Sequence, residues 1–262
     1  MLIAQISDPH ISLAGDAFDR VFATAAHLER AVGHLCELSR MPEFVIVTGD
    51  CVEGGTPAEY ERFRSLIRPL GVPVYVIPGN HDDRGVMREV FGVQGTRSME
   101  HFIQFVVEGG PVRMIALDSH VPGRATGFLC AERLGWLEER LDESAAPTLI
   151  VLHHPPFRSG IPALDALGLG NAEALGAIVA RHPNVECVAA GHLHRSMHRR
   201  FHGALALVCP STAHAIELDL TRSLPLTAVM EPPGCVLHLW DERAGLVSHV
   251  SPIGRFERVG EA

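Results

Sequence analysis

Positive charge is scarce in this chain of 262 residues: 22 Lys and Arg stand against 31 Asp and Glu, a formal net charge of −9. Proteins that grip nucleic acid by its phosphates need the opposite balance, because that affinity comes from cations displacing counterions, so no nucleic-acid polymer is expected as a partner. Long apolar runs are missing too, with none near the roughly 18 to 20 residues that span a bilayer, and no membrane association is expected. Met1 leads straight into LIAQISD, with neither a basic segment nor a small-residue cleavage site, so no signal peptide is expected. The six cysteines, Cys36, Cys51, Cys130, Cys187, Cys209 and Cys235, form no C-x-x-C pair and several sit in apolar runs, which predicts reduced, buried thiols in a cytoplasmic protein. Neither a G-x-S-x-G elbow nor a P-loop is present, and no linker or internal repeat divides the chain, so residues 1–262 are expected to form one domain.

What is present is ordinary globular composition, 47% hydrophobic and 20% charged, with an unusual sixteen histidines. Short apolar runs alternate with helical patterns, as strands buried on both faces do. Strands are expected at 2–7, 44–49, 74–79, 148–154 and 185–192. Helices are expected at 18–39, with Val21, Ala25, Leu28, Val32 and Leu35 on one face, and at 57–70, 130–144 and 171–183. Residues 101–119 read as a hairpin around Glu-Gly-Gly-Pro, and the last third as antiparallel strands. The pattern predicts an α/β fold, a four-layer αββα sandwich of two mixed β-sheets with flanking helices, in which residues 1–215 bear the motifs and 216–262 are β-rich.

Five groups of metal-ligand residue types each follow an apolar run: Asp8 and His10 in ISDPH, Asp50 in VTGD, Asn80 and His81 in PGNHDD, His153 and His154 in VLHHPP, and His192 and His194 in GHLH. Singly, each has an ordinary explanation, since an Asp after a strand caps helices and His-Pro marks turns. Together they should converge, because the carboxyl ends of parallel strands share one edge, where ligand crevices form. Asp8 and His10 are two apart and point to one side, as do His192 and His194, so each pair can pinch an ion. Asp50, after the sterically open Gly49, could bridge two ions. Carboxylate, imidazole and amide ligands suit Mn, Fe or Zn, and the absence of thiolate speaks against a structural zinc. His27 and His34 fall in a helical stretch, and His198 and His202 in an Arg-flanked loop, so these are expected to be bystanders.

D-x-H, G-D, G-N-H-D, H-H-P-P and G-H-x-H, in this order, resemble the calcineurin-like metallophosphoesterase family, and within it the bacterial class III cyclic-nucleotide phosphodiesterases and related glycerophosphodiesterases. The resemblance covers residues 1 to about 215. It implies two divalent ions, one held by Asp8, His10 and His194, the other by Asn80, His153 and His192, with Asp50 bridging. His154 then packs or supports a ligand. His214, in PSTAH, resembles a substrate-facing histidine. Asn80 as a neutral ligand leaves the metals more electrophilic, and His81 is free to meet the phosphate or the leaving oxygen, while Asp82 and Asp83 either orient His81 or cap the next helix.

Such a site is expected to hydrolyse a small phosphodiester by attack of a metal-bridging hydroxide, with Asp50 and His81 as the catalytic pair. A 3′,5′-cyclic nucleotide, cAMP, is the substrate expected first. A glycerophosphodiester is the alternative, disfavoured by a short tail ending in RFERVGEA, and a phosphomonoester is another. A non-catalytic metal-binding scaffold is the remote alternative, set aside because Asp50 and His81 are both present. The oligomeric state is left open, a homo-oligomer included.

Overall fold

The computed structural model describes residues 1–221, 225–257 and 259–260, so the end of RFERVGEA lies partly outside the described residues. The first half runs β1 (Leu2–Ile6), α1 (Ala17–Phe22), α2 (Thr24–Cys36), β2 (Phe44–Val47), α3 (Pro57–Ile67), β3 (Val74–Val76), α4 (Arg84–Phe91), β4 (Phe105–Val107), β5 (Arg113–Ala116) and α5 (Ala131–Asp142). The second half runs β6 (Thr148–Val151), α6 (Pro162–Asp165), α7 (Ala172–Arg181), β7 (Val185–Ala190), β8 (Met197–Phe201), β9 (Ala204–Val208), β10 (Ala215–Ile216), β11 (Ala228–Val229), β12 (Gly234–Asp241) and β13 (Gly245–Pro252).

Two mixed sheets result, in the orders β13-β12-β1-β2-β3 and β4-β5-β6-β7-β9-β8. Strand alternation assigns the layers. Met114, Ala116, Leu149 and Val151 join the apolar cluster that also holds β1, β2, α2 and α3, whereas their neighbours Ile115, Leu117, Ile150 and Leu152 pack with Leu137 of α5 and Leu175 of α7. Period-two alternation on strands covered on both faces thus gives helix, sheet, sheet, helix. Among the described residues no helix is long and apolar enough to cross a membrane.

The structure corrects several expectations. The stretch 18–39 is not one helix: Ala23 takes a left-handed φ of 47° and separates α1 from α2. Asp16 caps α1 by accepting from the Asp19 amide, and Thr24 starts α2 by donating its hydroxyl to the His10 carbonyl at 3.0 Å. The apolar period runs on through Ala23, which hides the break, and Val21 ends 71% exposed instead of buried. β8 (197–201), at the edge of the second sheet, contains His198, expected instead in an Arg-flanked loop. Its polar sequence MHRRF conceals a strand because exposed edge strands carry charge that blunts pairing with other chains. The last third is not wholly antiparallel: β9 runs parallel to β7 and antiparallel to β8. Among the cysteines, Cys36 is exposed and Cys130 half-buried, the other four are buried, and all six are free.

Candidate metal centre

Parallel β1, β2 and β3 end in Asp8–His10, Asp50 and Asn80–His81, and parallel β6 and β7 end in His153 and His192–His194, so the expected groups meet across the carboxyl edges of both sheets. Backbone bonds lace the loops together, from the amide of Asp8 to the Gly49 carbonyl (3.1 Å), His10 to Asp50 (2.9 Å) and Gly191 to His153 (3.0 Å). Five site residues occupy left-handed backbone: Asp8 (φ 52°), His10 (44°), Asp50 (48°), His192 (71°) and His194 (57°). Non-glycine residues avoid that region, and strain of this kind gathers at functional sites. The glycines of G-D and G-N are required for another reason. A Cβ at Gly49 would strike the His153 ring, and one at Gly79 would strike the Asp50 carboxylate.

Each histidine of the expected ligand set has one ring nitrogen tied to an acceptor: Nδ1 of His10 to Glu53 Oε2 (2.7 Å), Nδ1 of His153 to the Thr48 carbonyl (2.7 Å), Nε2 of His192 to the Leu167 carbonyl (3.0 Å), and Nδ1 of His194 to the His214 carbonyl (2.9 Å). A nitrogen facing a carbonyl or carboxylate carries the proton, so in the neutral ring the other presents a lone pair, the form that binds metal. His10 Nε2 and His194 Nε2 then face each other 3.1 Å apart. Two lone pairs so placed call for a cation.

Asp50 lies between the halves. Its Oδ1 accepts from the His81 amide (2.9 Å), and its Oδ2 is 3.5 Å from His10 Nε2 and 3.4 Å from His153 Nε2. Asn80 Oδ1 is 3.3 Å from His153 Nε2, and Asp8 Oδ1 is 3.6 Å from His194 Nε2. Two groupings with ligand atoms close enough to share an ion are Asp8–His10–His194 and Asp8–Asp50–His153. The charges are strongly perturbed. Burial opposes the Asp50 carboxylate, but positive charge on His153, whose own pKa rises to about 9, and on His10 outweighs it and holds the Asp50 pKa well below the usual range, a charge that a bound ion would supply in place of the ring protons. Burial raises Asp8, and burial aided by neighbouring histidines lowers His192 and His194 to about 3. Lone pairs and carboxylates crowded out of water in this way suit divalent ions, and the residues present fit a dinuclear centre.

The neighbours divide by role. His81 Nδ1 faces the Glu53 carbonyl at 3.0 Å, so its Nε2 is the atom left for the site. Asp82 does not orient His81: it is buried and accepts from the amides of Gly79 and Cys51 and from the Tyr60 hydroxyl, whereas Asp83 caps α4. His154 is fully buried, its Nδ1 2.8 Å from Ser119 Oγ, and it groups with His153 and His192. The His214 ring stands 4.6 Å from that of His194, and Phe22 of α1 4.5 Å from His214. Sequence reading missed Glu53, Phe18, Phe22 and a sixth strand-end group, Asp118–Ser119–His120 after β5. The same rule would have found that group had the segment not been taken only as a hairpin.

Residues 1–196 match the family model described as calcineurin-like phosphoesterase. The chain is 36% identical over 260 residues to a probable glycerophosphodiester phosphodiesterase of Arcobacter nitrofigilis, covering 98% of this chain and 95% of that protein. That coverage removes tail length as an argument against a glycerophosphodiester. It is 32% identical over 213 residues to a 3′,5′-cyclic adenosine monophosphate phosphodiesterase of Pseudomonas aeruginosa, covering 81% of this chain and 76% of that one. In fold it resembles a dimetal phosphatase of Danio rerio, with a TM-score of 0.69 at 16% identity over 97% of this chain and 99% of the other. The chain belongs to the calcineurin-like phosphoesterase family and is a metal-dependent phosphoesterase.

Proposed function

We propose that this protein hydrolyses small phosphodiesters, with a 3′,5′-cyclic nucleotide such as cAMP as substrate, and that Asp8, His10 and His194 hold one ion, Asn80, His153 and His192 the other, with Asp50 shared. The observation that carries the ligand assignment is the position of Asp50 Oδ2, nearly equidistant from Nε2 of His10 and of His153. Two divalent ions held there supply Lewis acidity, neutralising phosphoryl charge and lowering the pKa of water. Mn, Fe or Zn suits this donor set. His81 faces the substrate side, and because its Nδ1 is occupied by the Glu53 carbonyl, any proton it gives the leaving oxygen travels through Nε2. Phe18 and Phe22 of α1 stand beside His214, and Phe18 is 6.1 Å from the His10 ring, an aromatic wall suited to a planar base. His214 is assigned to that wall as a substrate-facing residue.

A second reading, a glycerophosphodiester, is favoured by the relative that matches nearly the whole chain. The free cysteines support a reducing, cytoplasmic setting. Initial rates with added Mn against 3′,5′-cAMP, glycerophosphoethanolamine and 4-nitrophenyl phosphate test the proposal. Diesters should be turned over faster than the monoester, and Asp50→Asn, which keeps a residue tolerant of left-handed backbone, should lose nearly all activity. A monoester preference would overturn the diesterase reading, and a preference for glycerophosphoethanolamine would select the second substrate.

A further inference from the structure

A cavity of about 460 Å³ opens beside Asn80, between the start of α4 and the loop after β5, lined by Asn80, Asp83, Arg84, His120 and Gly123 among others. Its size suits a small organic group. His120 is only 6% exposed and held from three sides. Its amide donates to Asp118 Oδ1 (3.1 Å), its carbonyl accepts from Arg84 Nη2 (3.1 Å) and Arg133 Nη1 (3.2 Å), and its ring Nδ1 lies 2.7 Å from the Gly79 carbonyl. A carbonyl only accepts, so Nδ1 carries the proton and Nε2 of the neutral ring is a bare acceptor. Nε2 has no hydrogen-bond partner among the described residues, and the residue lines the cavity. Burial, reinforced by the Arg84 cation, lowers the His120 pKa and favours the neutral ring. Arg84 spends Nε and Nη2 on Asp118, at 2.6 and 2.9 Å, which leaves Nη1 uncommitted among the described residues.

The cavity therefore offers a fixed acceptor and a donor next to an expected metal ligand. A second anion is poorly served, because Asp82 and Asp83 line the same cavity alongside Arg84 and Arg88, Arg84 is already paired with Asp118, and Arg88 is turned to the Met99, Glu100 and Phe102 carbonyls. We propose that this cavity is the subsite for the alcohol portion of the diester, and that His120 Nε2 accepts a hydrogen bond from a hydroxyl on the carbon next to the ester carbon. The 2′-hydroxyl of a 3′,5′-cyclic ribonucleotide and the central hydroxyl of a glycerophosphodiester share that chemistry. His120 is then a specificity-determining residue. The proposal rests on the phosphodiesterase reading and extends it to a feature of the substrate.

The test compares kcat/KM within matched pairs: 3′,5′-cAMP against its 2′-deoxy analogue, and glycerophosphoethanolamine against the propyl ester lacking both glycerol hydroxyls. The protein should favour the hydroxylated member of a pair by about 3- to 10-fold, the effect of one neutral hydrogen bond exchanged with water, and the pair showing the preference identifies the source of the hydroxyl. His120→Ala and His120→Asn should bring that ratio close to one. A bracing role alone, through the Gly79 carbonyl, would lower both members together and leave the ratio intact. Absence of any preference in both pairs, or a ratio unchanged in both variants, overturns the proposal. Failure of the Mn-loaded protein to cleave bis(4-nitrophenyl) phosphate would overturn instead the phosphodiesterase reading beneath it.

Discussion

Glu53 Oε2 stands 2.7 Å from Nδ1 of His10 and 3.4 Å from Nδ1 of His81, so one carboxylate backs both an expected metal ligand and the expected leaving-group histidine. A carboxylate behind a metal-bound imidazole fixes the ring and raises its basicity. Glu53→Ala should weaken metal binding by roughly 10- to 100-fold, the usual loss when such a partner is removed. Glu53→Gln keeps an acceptor without the charge and should lie between. Titration with Mn in competition with a chelator measures this, and wild-type affinity in both variants would remove Glu53 from the metal chemistry.

His153 and His154 are adjacent yet differently engaged. Nε2 of His153 faces Asp50 and Asn80, whereas His154 is held by Ser119. His153→Ala should reduce the ions retained per chain, and His154→Ala should leave two. Elemental analysis after reconstitution decides between them, and the opposite result would move the ligand one residue along the chain.

His81→Ala should retain both ions and lose roughly 10²- to 10⁴-fold in hydrolysis of alkyl diesters, the range for a lost general acid. A nitrophenolate leaves without much help, so bis(4-nitrophenyl) phosphate should slow far less. Equal losses on the two substrates would show that His81 holds the phosphate, a contact common to both reactions.

His238, on β12, is buried between Ser248 Oγ (2.8 Å) and Gln5 Oε1 (3.1 Å), and burial lowers its pKa to about 3. The unfolded chain takes up this proton near the ordinary value of 6.5, the folded one only near 3. Between these values the unfolded state binds more protons, so stability falls as pH falls, by at most about 1.4 kcal/mol per pH unit from this group. Urea titrations from pH 7 to 4 should show a shallower fall for His238→Asn than for wild type. Parallel curves would show that the ring titrates in the fold as it does in the unfolded chain.

The sequence by itself determined where the chemistry sits along the chain. Apolar runs ending in Asp8, Asp50, Asn80, His153 and His192 are local patterns, and parallel strands with buried faces oblige such ends to meet. It did not show that Met114 and Ala116 face one layer and Ile115 and Leu117 the other, because that run is apolar at every position. Only the tertiary structure decided which nitrogen of each imidazole faces the centre. That choice depends on an acceptor lying behind the ring, and the Thr48 carbonyl behind His153 is 105 residues away in sequence. Glu53 is likewise 43 residues from His10, and His120 is 41 from the Gly79 carbonyl that fixes its tautomer. The break at Ala23 and the polar edge strand β8 were illegible for a related reason. The first is set by where Thr24 must reach the His10 carbonyl, the second by β9 offering it a partner. Periodicity reports which face of an element is buried, whereas proton placement and hydrogen-bond pairing are settled by groups brought together only when the sheets close.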